Sequence, residues 1–261
     1  MQQPIDALYQ RQRRRHAECA ALAVGAAVLF ALLLTLVLGD WGPLTRLDHA
    51  SVASLHRYAR RHTVSTAAVR TLADLGGPVT MRILLLLVAA WLLRLGARTL
   101  AGWAAALVLT GWLAGRLTQL LIDHPRPHFP DPIARAAGPS FPSGPAMASL
   151  ITCAALAALL WPRVNRAGRY AACTLAAALV LTVGWSGIAL GLYWPSDVLA
   201  GWLGAAAVLG GVTAVLELWH PGALLRDSRR VEWRTRPRVQ RVLVPEGTTR
   251  PIEEGPPDED S

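Results

Sequence analysis

Residues 186–197 read SGIALGLYWPSD and join the end of one apolar span to the start of the next. Apolar sequence runs through 170–190 before the turn and through 195–219 after it. Around this junction stand Ser186, Gly191, Pro195, Ser196 and Asp197. Two further stretches interrupt the hydrophobic sequence in the same way, HPRP at 124–127 and FPSGP at 141–145. A polar notch at a helix end is where water or neighbouring protein can satisfy groups that lipid cannot.

The surrounding composition places the chain in a membrane. It has 261 residues, 53% hydrophobic and 16% charged, with positive mean hydropathy, a profile foreign to soluble domains. A span needs about 20 apolar residues. Six stretches qualify, approximately 19–39, 77–93, 99–122, 144–161, 170–190 and 195–219. The first follows Arg11, Arg13, Arg14 and Arg15. It is longer than a signal-peptide core and no small-residue cleavage site follows, so it is expected to be a retained anchor. All 26 basic residues are Arg, so no lysine ammonium exists to meet a phosphate. Seventeen arginines fall in the segments expected to be cytoplasmic and seven in those expected outside. The positive-inside rule then puts both termini in the cytoplasm and the three notches at the outer face of the plasma membrane. Trp41, Trp103, Trp161, Trp194 and Trp219 fall near span ends, as an aromatic belt requires. The net charge of +9 is accounted for by orientation and anionic lipid, not nucleic acid.

The expected organisation has three parts. Residues 1–18 form a basic cytoplasmic segment. Residues 19–219 form the membrane domain, in which 40–76 is an amphipathic outer segment closed by Gly76–Gly77–Pro78. Residues 220–261 form a disordered cytoplasmic tail, basic over 226–241 and acidic over 252–261, open to a lipid surface or a cytoplasmic protein partner. Cys19, Cys153 and Cys173 lie inside apolar spans without ligand or disulfide spacing and are expected as small core residues. An Arg-only, Ala-rich chain also suggests a GC-rich bacterial genome.

In order, the notches resemble the type 2 phosphatidic acid phosphatase (PAP2) superfamily, which shares a helical core with vanadium haloperoxidases. The family pattern is Lys, six residues, Arg-Pro; then Pro-Ser-Gly-His; then Ser-Arg, five residues, His, three residues, Asp. Here Arg126–Pro127, Pro142–Ser143–Gly144, Ser186, Gly191 and Pro195–Ser196–Asp197 fit that skeleton at the right spacing, over residues 40 to about 215. The resemblance implies an all-α, polytopic six-transmembrane-helix bundle; no cofactor is expected, and no His, Asp or Glu cluster has the spacing of a metal site. The resemblance also implies a lipid-phosphate chemistry. In the family, one His attacks phosphorus, an Asp orients it, a second His protonates the leaving group, and cations with a Ser and a backbone amide hold the phosphate oxygens.

Most of those atoms are missing. The nucleophile position holds Tyr193, the acid position Pro145, the Lys position Gln119 and the second Arg position Gly187. Asp197 remains, as do Arg126, Ser143, Gly144 and Ser186 for phosphate binding. Compensation is open to His124 and His128 beside Arg126, and to Arg116, three residues before Gln119 on the same helical face, although helical side chains lean toward the N-terminus, here away from the notches. The retained residues also suit a structural role: Asp197 or Ser196 as a helix cap, and Ser143 as the cap of a helix with Pro145 in its first turn. The expectation is therefore a degenerate member, a pseudophosphatase binding anionic lipid phosphates at the outer leaflet. The alternatives are an active lipid phosphate phosphatase with a non-standard site and a membrane scaffold acting through its tail.

Overall fold

A computed structural model describes the backbone of residues 3–130, 132–134, 136–224, 226–228 and 231, with side chains apart from 3–15, 63–65 and 68. The described chain is helical: α1 (Gln3–Leu38), α2 (Gly42–Arg61), α3 (Thr63–Leu75), α4 (Pro78–Arg94), α5 (Arg98–Leu121), α6 (Gly144–Leu160), α7 (Arg166–Ala189) and α8 (Pro195–Trp219). The helix starts follow from the sequence. Proline occupies the first turn of α2, α4, α6 and α8, where its missing N–H has no intrahelical partner to lose. Asn165 caps α7 by accepting from the Gly168 amide at 2.8 Å.

The central helix is α6, which packs against α4, α5, α7 and α8. Buried on most sides, it is apolar all round. Leu85, Leu92, Leu100, Leu107, Ile151 and Leu159 from α4, α5 and α6 form the main core with Ala205 of α8. The outer surface is equally apolar: Leu22, Val28, Leu29, Leu32, Leu87, Leu109 and Leu181 all point away from the bundle. Only a lipid solvent accommodates that much exposed hydrocarbon.

Four helices are long and apolar enough to cross a membrane: His16–Leu38 within α1, then α5, α7 and α8. Val69–Leu75 and α4 reach that standard together, bent by 43°, which raises the number to five. Apolar length in the sequence predicts six. The difference is α6, whose 17 residues span about 25 Å, less than the ~30 Å hydrocarbon core.

Three local expectations are corrected. Trp103 is no belt residue: it is buried, and its indole N–H donates to the Thr213 hydroxyl at 3.0 Å. Cys173 faces outward, while Cys153 is buried. The chain beyond α8 is packed where it is described. Asp227 accepts the Thr99 amide at 2.7 Å at the start of α5, and Val231 is fully buried in the core. Residues 232–261, most of the expected disordered tail, and the basic side chains before residue 16 lie outside the described residues.

Close helix approach rests on missing side chains. A Cβ at Gly210 would lie 2.7 Å from the Cys19 carbonyl oxygen and 2.8 Å from the Ala23 amide. The α1–α8 seam is thus set by backbone against backbone, as small residues permit in membranes. Gly210→Val is expected to lower Tm in detergent by several degrees, since overpacking costs about 1–3 kcal/mol. Gly211→Ala, with open space at its Cβ position, is expected to leave Tm unchanged.

Candidate functional site

The three notches meet at one end of the bundle, bound through backbone. The Ser143 amide donates to the Asp197 carbonyl at 2.9 Å, joining the starts of α6 and α8. The Trp194 indole donates to the Pro125 carbonyl at 2.9 Å. Gln119 donates from its side-chain amide to the Pro142 carbonyl at 3.3 Å, tying the end of α5 to the loop before α6.

Arg126 is the hub. Its Nε donates to the Gly138 carbonyl at 2.9 Å, one terminal nitrogen to the Leu192 carbonyl at 2.8 Å, and the other to the Pro139 carbonyl at 3.1 Å. Three of the five guanidinium N–H donors are thus engaged by backbone. The guanidinium carbon also sits 4.6 Å from the centroid of the Tyr193 ring, a cation–π arrangement.

Tyr193 is buried, and its ring fills the space that Gly187 vacates. A Cβ at 187 would lie 3.0 Å from the Tyr193 ring. The two substituted motif positions therefore fit one another. Gly191 makes the turn between them possible, with φ +69° in the left-handed region that favours glycine. Ser186 is buried and gives its hydroxyl proton to the Val183 carbonyl at 2.8 Å. Ser143 caps α6 through a long 3.5 Å contact from the Ala146 amide, and Pro145 sits in that first turn.

Asp197 is wholly buried. One carboxylate oxygen accepts the Trp194 amide at 2.9 Å and so closes the first turn of α8. The other has no hydrogen bond and lies 3.7 Å from Nδ1 of His124. That nitrogen is also 3.0 Å from the Ser140 hydroxyl oxygen, whose own proton goes to the His124 carbonyl at 3.1 Å. Burial pushes the His124 imidazole below its usual value, against the opposing pull of Asp48 and Asp40. Burial thus favours the neutral ring beside Asp197.

Asp48 of α2 completes the cluster. One of its oxygens accepts the Ser196 amide at 3.1 Å and the other the Ser196 hydroxyl at 2.6 Å. Burial raises the Asp48 carboxyl, opposed by the Ser196 hydrogen bonds and by His124 and His49. This residue was missed in the sequence, yet it carried a signal. Asp48, Val52, His56 and Ala59 are the buried positions of α2, so an acid stands on the inward stripe of an amphipathic helix.

Of the candidates for compensation, His124 joins the cluster. His128 is exposed, and its Nδ1 contacts the Arg126 carbonyl at 2.9 Å. Arg116 lines a separate crevice with Gln119, Pro142 and Gly144. Among the described residues, no group of three or more His, Cys, Asp or Glu is placed to hold a metal ion.

The family model of the PAP2 superfamily matches residues 99–220, which include all three notches. Among solved structures, the crystal structure of the first transmembrane PAP2 type phosphatidylglycerolphosphate phosphatase from Bacillus subtilis has a similar fold. The TM-score is 0.66, with 77% of this chain and 98% of that chain covered at 19% identity. At that identity the likeness concerns the fold. No curated protein matches the chain.

The site predicts a pH dependence. A His held below its ordinary 6.5 stabilises the fold above that pH, and the contribution is lost as pH falls through 6.5 toward the folded value. A raised Asp48 acts in the opposite sense, its contribution fading as pH rises from 3.8. On lowering the pH from 7.5 to 5.5, thermal unfolding of both proteins is expected to show the wild type losing Tm relative to His124→Gln, a difference that isolates the imidazole from the neighbouring carboxyls.

Proposed function

Because the chain belongs to the PAP2 superfamily, we propose that it is a catalytically impaired, multi-pass membrane member that holds a lipid phosphate without hydrolysing it. The observation that carries this reading is the Tyr193 ring, packed against Gly187 and covered by the Arg126 guanidinium. In an active member that volume belongs to the nucleophilic His and the second Arg. Here it holds aromatic carbon, and Pro145 has no proton to give where the general acid would stand. Losing a general acid alone costs about 10²- to 10⁴-fold, and no imidazole is present at 193 to form a covalent intermediate. We take the bundle to be six spans of the bacterial plasma membrane, with both termini cytoplasmic and the notches at the outer leaflet.

A second reading has one specific observation in its favour. His124 Nδ1 lies 3.7 Å from the free oxygen of Asp197, the carboxylate that orients the nucleophile in the family pattern. An active lipid phosphate phosphatase would then use His124 in place of the residue at 193. Against it, Asp40, Asp48 and Asp123 line the ~390 Å³ cavity beside His124, and no arginine does. Three carboxylates repel a phosphate dianion.

The deciding measurement is phosphate release by the purified protein from phosphatidate, phosphatidylglycerol phosphate and a polyprenyl pyrophosphate. No release above a detergent blank is expected. Turnover abolished by His124→Gln would establish the second reading. Turnover abolished by Tyr193→Phe would identify a phenol nucleophile and also overturn the impaired enzyme.

A further inference from the structure

Arg82 of α4 and Arg116 of α5 line one crevice with Trp112, Gly115, Gln119 and Gly144. Arg82 lies four residues inside the start of α4 and Arg116 five residues before the end of α5. At 1.5 Å per residue both are about 6–8 Å below the helix ends. Those ends belong to the face where the notches meet, since Gly144 lies beside Pro78. Arg82 is half-buried and Arg116 exposed at the mouth, and the two cations are near enough to repel one another.

Among the described residues neither guanidinium has a hydrogen-bond or ion-pair partner, and no acid lines the crevice. The nearby polar groups offer little relief. The Thr152 hydroxyl gives its proton to the Met81 carbonyl at 3.1 Å, and the Gln119 amide is bound to Pro142. Two unpaired, mutually repelling arginines inside membrane-spanning helices are costly, and such residues face a partner or a substrate path. The chemistry that removes both the repulsion and the unmet donors is an oxyanion able to accept several N–H bonds at once, which arginine forks suit. The enclosed part of the crevice is small, ≈ 30 Å³, within an open volume of ≈ 450 Å³. It is lined by the α4, α5 and α6 segments and bounded by the exposed Trp112 ring. An anion there is reached from lipid, with its acyl chains remaining outside.

We propose that Arg82 and Arg116 together hold the phosphate of a membrane lipid in this crevice. The inference rests on the reading of the protein as a lipid-phosphate binder and moves the anion away from Arg126, whose donors are mostly engaged by backbone. It touches the old site along one edge, at Gln119 and Gly144, where the family pattern would supply a lysine and a backbone amide.

The test is thermal stabilisation of the full-length protein in neutral detergent by added phosphatidate, by diacylglycerol, which differs from it by the phosphate, and by inorganic phosphate. Phosphatidate is expected to raise Tm and diacylglycerol to leave it unchanged. Arg82→Gln and Arg116→Gln should each weaken the half-effect concentration about tenfold or more, the usual consequence of losing charge-assisted bonds. Neither should lower the lipid-free Tm, because neither arginine has a protein partner to lose. Arg82→Lys and Arg116→Lys, which keep the charge without the planar fork, should retain part of the stabilisation. Phosphatidate stabilisation that survives the double Gln variant but disappears in Arg126→Gln would overturn the arginine pair alone. Wild-type protein stabilised no more by phosphatidate than by diacylglycerol would overturn the lipid-phosphate binder itself. Pair-dependent stabilisation by inorganic phosphate, without a response to phosphatidate, would overturn the lipid as the source.

Discussion

The guanidinium of Arg126, held by three backbone carbonyls, is the contact on which the notch face depends. It reaches the loop before α6 through Gly138 and Pro139, and the α7–α8 turn through Leu192. Those carbonyls belong to irregular backbone at a membrane-protein surface, where unmet acceptors are expensive. A single planar cation satisfies three of them at once. Lysine offers a point charge without that fork. The residue of the motif that looked most like a phosphate ligand is therefore also the joint that keeps the motif segments together.

The start of α8 shows the same economy. Its first-turn donors are met by two carboxylates of different origin. Asp197 lies in the helix itself and takes the Trp194 amide, while Asp48 arrives from α2 to take the Ser196 amide and hydroxyl. Acids near a helix N-terminus are favoured by its partial positive charge, and this offsets some of the penalty that burial places on Asp48. The α2 segment is thereby fastened to the membrane domain by a buried polar contact. Its covered stripe of Val52 and Ala59 adds packing to that contact.

Much of this was legible in the sequence, and the illegible part has a physical pattern. Helix starts were readable because proline and small polar residues act locally: Pro195 with Asp197, and Ser143 with Pro145, lie within one turn of the backbone they serve. The meeting of three notches followed from span counting. What escaped were contacts set by tertiary geometry. Asp48 is separated from Ser196 by 148 residues, and no spacing rule links them. Trp103 sits at a sequence position typical of an interfacial tryptophan, yet Thr213 on α8 gives its indole an internal partner. Arg82 lies four residues inside the start of α4. Its pairing with Arg116 emerges only once α4 and α5 lie side by side. By length and composition alone the described helices give four or five spans, since α6 is short but central, and burial by neighbouring helices relaxes the length that lipid alone would require.

The departures from the family pattern form a coupled set. Gly187 is small where Tyr193 is large, and the ring occupies the space a side chain at 187 would need. Arg126 then covers that ring, so its orientation follows from the aromatic face as well as from the carbonyls. A histidine at 193 would leave a gap beside Gly187 and remove the surface on which Arg126 rests. An arginine at 187 would press into the tyrosine. Each position is adapted to the state of the other, so a single reversal is opposed by packing. Gln119 belongs to the same set, because its neutral amide donates to Pro142 next to a crevice that already holds two guanidinium charges. A lysine there would add a third cation to an unpaired pair. Glutamine at 119 thus limits the charge repulsion that Arg82 and Arg116 experience.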